Sequence, residues 1–389
     1  MAKKQVLFIT PSLCYGGIEQ FLISMLETLD SERYEATLFM YINDTALLPR
    51  VPGHVKVIMD EDRTHYHRSF RAVSLHLKKK VCSLLKIKNS YAEVLQDYIR
   101  TEKMKHPAKD VFRGQIFDTV VANAVGKPAE MALHIPAKKR FVFFHSSLDL
   151  HHELNEKTFP EFDGIVAVSP GVQDMLRKTY PAVKDKVLLL ENYVRAEAIL
   201  EKAEEQDSRF VFDKQLTNLC SCGRLSSEKG FDMAGESARI LNEKGYRFRW
   251  YFVGDGPERE KIEDMIRRYS LEDRICITGY TDNPFTLMKS CDIYIQPSYE
   301  ESYGRTIREA MILGLPVVST ATVGGHTLIR NGVSGILTEI NAEALADGIA
   351  KLLDNRELQA EFGAHYTIAQ NEAERNTFRE GLERLLSQN

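Results

Sequence analysis

The 389-residue chain has one Trp, six Cys and 13 Pro, and what it lacks already narrows its chemistry. Cys14, Cys82, Cys220, Cys222, Cys276 and Cys291 show no Cys-x-x-Cys spacing and no neighbouring His cluster, so they read as buried thiols of a reducing compartment. Residues 1–30 have no signal-peptide layout, and no uninterrupted apolar run is long enough to cross a bilayer, so a cytoplasmic protein is expected. A formal net charge of -4 offers no global attraction for nucleic acid, and none is expected as a partner. No Gly-x-Gly-x-x-Gly follows the first apolar run, which leaves dinucleotide binding without support.

What is present is enough length for two or three domains, and short apolar runs alternating with helical periodicities. Residues 5–10 fit a buried parallel strand; Gly16 and Gly17 close the following loop, and Ile18, Phe21, Leu22, Met25, Leu26 and Leu29 then share one helix face. Glycines there would let a ligand approach the backbone. Further strands are expected at 36–40, 55–59, 119–122, 141–144, 164–168 and 187–190, then at 216–222, 250–253, 275–278, 293–295 and 317–320. Helices are expected at 342–353 and 377–386. The pattern predicts an α/β fold with doubly wound parallel sheets. His145 stands at the carboxyl end of the 141–144 strand, where ligands of such sheets collect.

The chemistry concentrates in residues 300–316, Glu-Glu-Ser-Tyr-Gly-Arg-Thr-Ile-Arg-Glu-Ala-Met-Ile-Leu-Gly-Leu-Pro. Ile307, Ala310, Met311 and Leu313 make the part after Gly304 a helix, so the order is strand, loop, helix. At 100° per residue, Glu309 points within about 80° of Glu301, so both carboxylates look to one side of the helix start. The N–H groups of Gly304, Arg305 and Thr306 between them form an anion site with the helix dipole. A carboxylate deeper in the helix is better suited to accept hydrogen bonds from sugar hydroxyls. In Gly223-Arg224-Leu225-Ser226-Ser227-Glu228-Lys229-Gly230, two cations five apart on a post-strand loop are placed to neutralise a diphosphate.

These stretches resemble the retaining GT-B glycosyltransferases of family four, with the Glu-x(7)-Glu pair and the Gly-Arg-Leu-x-x-x-Lys-Gly loop as the most specific matches. Val166-Ala167-Val168-Ser169-Pro170 and Glu191-Asn192-Tyr193-Val194 occur in family order between them and the Gly16-Gly17 loop. The resemblance runs from about residue 5 to the C-terminus and implies two Rossmann-like domains facing across a cleft. It implies residues 1–194 as an acceptor domain, 195–208 as a linker, 209–365 as the nucleotide-sugar domain, and 366–389 as a helix returning to the first domain. By the same resemblance Glu309 holds the nucleotide ribose and Glu301 lies beside the transferred sugar. Arg224, Lys229 and the amides of Gly304, Arg305 and Thr306 hold the diphosphate, and His145 contacts the donor sugar. The backbone at Gly279 and Tyr280 meets the nucleobase, while Gly16 and Gly17 face the diphosphate and help place the acceptor. No metal or other cofactor is implied. His326-Thr327 departs from the family, which has Pro-Glu there.

The implied activity is transfer of a sugar from a nucleotide donor, UDP-linked, to an acceptor hydroxyl with retention. A lipid-linked glycan of capsule, exopolysaccharide or O-antigen assembly is the implied acceptor. A non-catalytic partner of another transferase, and a sugar phosphorylase or epimerase on the same scaffold, are the alternatives.

Residues 63–113 stand apart, with thirteen Lys or Arg against four Asp or Glu. Phe70, Val73, Leu77, Val81 and Leu84 form a helical stripe flanked by Lys78, Lys79, Lys80, Lys86 and Lys88. At about 1 kcal/mol each near an anionic leaflet, those lysines supply up to about 5 kcal/mol of peripheral membrane attraction. Packing of the stripe on its own domain is the competing reading. Asp60-Glu61-Asp62 after an apolar strand is a second competing signal, the DxD of metal-dependent GT-A enzymes.

Overall fold

Val6, Leu7, Phe8 and Ile9 are all completely buried, as a strand covered on both faces requires. The computed structural model, which describes residues 2–14, 16–59, 111–146, 152–205, 212–213 and 215–387, builds them into the centre of a parallel sheet. Two compact units divide the chain. Met1–Ala167, Leu176–Leu189 and Leu382–Asn389 form the first, and Val168–Met175 with Leu190–Gly381 the second.

The first unit contains β1 (Lys4–Thr10), α1 (Gly17–Thr28), β2 (Tyr34–Met40), β3 (Lys56–Met59), β4 (Phe117–Ala122), α2 (Lys127–Leu133), β5 (Ala137–Phe144), α3 (His152–Thr158), β6 (Gly164–Ala167) and, after α4 (Pro170–Thr179), β7 (Val187–Leu189). The strand order is β3-β2-β1-β4-β5-β6-β7. The direction of winding therefore reverses between β1 and β4, where the carboxyl ends open a crevice. Asn123 closes that point: its N–H donates to Ile9 O at 2.9 Å, and its Nδ2 donates to Ile18 O at 3.4 Å. The apolar face of α1, with Phe21, Leu22, Met25 and Leu26 buried, holds it on the sheet.

The second unit contains α5 (Ala196–Ala203), β8 (Thr217–Cys222), α6 (Phe231–Glu243), β9 (Phe248–Val253), α7 (Arg259–Arg268), β10 (Ile275–Gly279), α8 (Phe285–Lys289), β11 (Ile293–Gln296), α9 (Arg305–Ile312), β12 (Val317–Thr320), α10 (Val323–Leu328), β13 (Ile336–Thr338), α11 (Ala342–Leu353), α12 (Arg356–Gly363) and α13 (Ile368–Ser387), whose last turns belong to the first unit. Its strand order is β10-β9-β8-β11-β12-β13, with the reversal between β8 and β11. A buried polar relay fixes the centre. Trp250 Nε1 donates to Ser221 Oγ at 3.0 Å, and that hydroxyl donates to Ile295 O at 2.6 Å, joining β9, β8 and β11. Fully satisfied polar groups in a core of Leu219, Trp250, Phe252 and Ile293 specify one strand register.

The expected α/β class with two doubly wound parallel sheets is observed. Within residues 195–208, expected as a linker, Ala196, Ile199 and Ala203 form a buried stripe, and α5 packs with Val194, Tyr303 and Ile312. Residues 323–328 form α10, whose start Thr322 caps by accepting from Gly325 N. The stripe at 70–84, Lys78, Lys79, Lys80, Lys86, Lys88 and Asp60-Glu61-Asp62 lie outside the described residues. No helix among the described residues is long and apolar enough to cross a membrane.

Candidate functional site

The reversal at β8 and β11 decides what meets in the second unit. Each strand delivers its following loop to the same carboxyl edge, so Lys229 from one and Glu301 from the other come together with Nζ and Oε2 at 2.7 Å. Their side chains are 25% and 15% exposed, so the pair is shielded enough to interact strongly yet reachable from solvent. The loop after β8 is shaped by Gly230 at φ 65°, where a Cβ would lie 2.0 Å from Pro297 O. Only glycine fits that approach of the two switch-point loops. Arg224 lies on the same loop with an exposed side chain.

Beyond Glu301, Gly304 adopts left-handed φ 84°, ψ 51° and starts α9. No side chain caps this helix, so its first N–H groups point out of the turn. Ile307, Ala310 and Met311 bury the opposite face among Tyr294, Leu315 and Val317. Glu309 is buried to 8% exposure, and Arg305 Nε pairs with its Oε1 at 3.1 Å. The Arg305 guanidinium also reaches Asn192 Oδ1 at 3.5 Å and Tyr193 O at 3.4 Å. Under the helix start, Thr306 Oγ1 donates to Gln296 Oε1 at 2.8 Å, which also accepts from Tyr294 OH at 2.6 Å. Gly324 N donates to Glu301 O at 2.7 Å, and a Cβ on Gly324 would meet Glu301 Cγ at 2.8 Å. The segment that departs from the family at His326-Thr327 thus still supports Glu301, through a glycine two residues earlier.

The structure brings Lys229 to Glu301 and Arg305 to Glu309 on adjoining loops of one sheet edge. Gly279 and Tyr280 belong to the same unit, but at the end of edge strand β10, two strands from β8. Gly279 has φ 78°, and Tyr280 is 55% exposed. Sequence reasoning did not find the Gln296 ladder or the Arg305 side-chain role. The i,i+4 spacing of Arg305 and Glu309 was the available signal for the latter.

In the first unit, Gly16 precedes α1 with φ -149° and Gly17 is its first residue, so neither is required by a left-handed backbone. A Cβ on Gly17 would meet nothing within 4 Å, leaving open space at the helix start. His145 follows β5, stacks on Phe143 at 6.0 Å and meets the Phe21 ring edge-on at 5.3 Å. Its Nε2 is buried without a hydrogen-bond partner among the described residues. Burial pushes its pKa down to about 4, against the opposing effect of a hydrogen bond to the Asn123 backbone. The imidazole is therefore neutral at physiological pH. As pH falls below about 6.5 the unfolded chain takes up this proton first, so folding stability declines progressively towards about pH 4. A 1H–15N titration of His145 is expected to stay flat from about pH 8 to about pH 6. A midpoint near 6.5 would show a solvated ring instead.

Residues 202–366 match the family model described as glycosyl transferases group 1. Alpha-D-kanosaminyltransferase of Streptomyces kanamyceticus is 32% identical over 140 residues, 35% of this chain and 36% of that protein. N-acetyl-alpha-D-glucosaminyl L-malate synthase of Bacillus anthracis is 32% identical over 133 residues, 34% of each chain. The matched segment spans about a third of these curated relatives. Over the whole chain, a crystal structure of Anabaena Alr3699/HepE in complex with UDP superposes with TM-score 0.70 at 18% identity, covering 98% of this chain and 99% of that one. The two parallel-sheet units are those of the GT-B glycosyltransferase fold.

Proposed function

We propose that the protein transfers a sugar from a nucleotide donor to an acceptor hydroxyl, a reading supported by the match of residues 202–366 to the group 1 glycosyltransferase model and by the GT-B fold of the chain. The observation that carries this reading is the convergence of Lys229, Glu301, the uncapped start of α9 and Glu309 at one switch point. Departure of a nucleoside diphosphate builds negative charge on phosphate and positive charge on the sugar. Fixed cations and amides at the first, and a carboxylate at the second, lower that barrier most.

In this assignment Lys229 and Arg224 hold the diphosphate with the amides of Gly304, Arg305 and Thr306. Lys229 exchanges its contact with Glu301 for one with phosphate, which frees Glu301 to accept from the transferred sugar. Glu309 accepts from the ribose hydroxyls, and Gly279 with Tyr280 meets the base. His145, neutral and with an unpartnered Nε2, offers a hydrogen bond to the donor sugar; Gly17, next to Gly16, gives the acceptor side an open backbone. The donor is UDP-linked, a reading supported by the UDP in the similar Anabaena structure. Transfer proceeds with retention and without a metal ion. The acceptor is a lipid-linked saccharide of bacterial surface polysaccharide assembly, reached from an anionic membrane by the lysines of residues 63–113.

The test is a panel of nucleotide sugars in excess EDTA, read by thermal stabilisation and slow donor hydrolysis. Stabilisation by one UDP-sugar with release of UDP is expected. Silence from the folded protein across the panel would favour a non-catalytic partner of another transferase, and activity only after added divalent ion would reject the metal-free assignment.

A further inference from the structure

One residue before Glu309 on α9 lies a buried cation to which the assignment above gives no role. Arg308 is 9% exposed. Its Nη2 pairs with Glu374 Oε1 at 2.9 Å, and its guanidinium lies 4.3 Å from the centroid of the Tyr366 ring. It also hydrogen-bonds Tyr303, the residue immediately before the left-handed Gly304. Tyr366 OH in turn donates to Glu374 Oε2 at 2.8 Å, and Asn371 Nδ2 donates to Val194 O at 2.7 Å. One guanidinium thus joins the residue entering α9, the helix itself and the start of α13.

We propose that Arg308 is a positioning residue for the donor site: it clamps α9 from behind so that the amides after Gly304 and the carboxylate of Glu309 keep their aim. The proposal rests on the donor-site reading above for its functional consequence, but the clamp itself stands on the contacts just given.

Burial alone would work against a charge here, yet Tyr303, Glu374 and Tyr366 outweigh it and hold Arg308 above its ordinary pKa. The clamp is therefore charged at every accessible pH. Its electrostatic surroundings are Glu374 and Tyr366 from the C-terminal segment, Tyr303 from the α9 loop, and Glu191 from the segment after β7 that runs into Asn192 and Tyr193. Tyr193 is flanked by Arg195, Glu197, Glu374 and Arg375. Glu191 is pushed up by burial and by Glu374, and Arg308 opposes that rise. Removing the cation leaves Glu191 and Glu374 repelling each other beside the backbone that Arg305 grips. Protonation of Glu191 relieves the repulsion, so loss of Arg308 converts a pH-independent clamp into one that weakens as pH rises.

The experiment compares wild type, Arg308→Lys and Arg308→Met by UDP titration at about pH 5 and about pH 8, with hydrogen exchange of residues 303–309 in the free protein. Arg308→Met is expected to lose roughly 10-fold in UDP affinity at the higher pH relative to wild type, and to recover part of it at the lower. Arg308→Lys, which keeps the charge, is expected to show the wild-type pH dependence. Exchange at 303–309 should accelerate in Arg308→Met. Unchanged exchange there would overturn the clamp, and equal, pH-independent losses in both variants would overturn its charge as the cause. Failure of wild type to bind UDP while exchange still responds would instead reject the donor reading and leave the clamp standing.

Discussion

Lys229→Ala is expected to lower turnover by on the order of 10²-fold or more, the loss found when a fixed charge-stabilising group is removed. The reason is twofold. The leaving diphosphate loses a cation aimed at it from the β8 loop, and Glu301, 15% exposed, loses its 2.7 Å partner and remains as an uncompensated negative charge beside the same phosphates. A buried or half-buried pair broken on one side leaves the other side's desolvation unanswered. Glu301→Gln in the Lys229→Ala background should therefore cost much less than Glu301→Gln alone, since the two groups act as a unit. Steady-state UDP release measures the two single variants and the double variant, and a denaturant melt separates the catalytic loss from any loss of folded protein. Near-normal turnover in Lys229→Ala would remove it from the diphosphate, and full additivity of the two substitutions would show that the ion pair carries no functional coupling.

That coupling marks the limit of what the sequence makes legible. The central strands are readable because Val6–Ile9 and Ile293–Ile295 are short apolar runs buried on both faces, and a parallel sheet demands that. Lys229 and Glu301 are each recognisable from their own loops. Their contact spans 72 positions and follows from the reversal of strand order at β8 and β11, which no local pattern encodes. Charged residues that turn inward are the hardest to read. Arg305 and Arg308 sit on a helix whose periodicity assigns them to the polar side, yet Arg308 is nearly buried and Arg305 grips Glu309. Helix α5 was hidden by Glu197, Glu201, Lys202, Glu204 and Glu205, which mask the stripe of Ala196, Ile199 and Ala203. Three-residue β13 is too short to show any period. At His145 the position at a strand end is legible, whereas its neutrality depends on Phe21 closing over it from α1, opposite Phe143 of its own strand.

Glu309→Ala is expected to weaken UDP binding by roughly 10²-fold, if each of two charge-assisted hydrogen bonds to the ribose contributes about 1.5 kcal/mol. Glu309 lies one turn inside α9, where its carboxylate is too deep to compete for the anion position at the helix start but can accept from neighbouring hydroxyls. Arg305 prepares it: the 3.1 Å contact fixes Oε1, and Asn192 with Tyr193 fixes Arg305 in turn. A carboxylate held in this way loses little conformational freedom when the ribose arrives. The specific test uses the ligand as the second partner of the cycle. Wild type should bind UDP more tightly than its 2′-deoxy analogue, and Glu309→Ala should bind the two alike, because the hydroxyl then has no carboxylate to meet. Glu309→Gln should fall between, keeping an acceptor oxygen but losing both the charge and the hold of Arg305. Discrimination against the deoxy analogue that survives in Glu309→Ala would move recognition of the 2′-hydroxyl to another residue, while equal binding by wild type would show that this edge of the sheet does not read the 2′-hydroxyl.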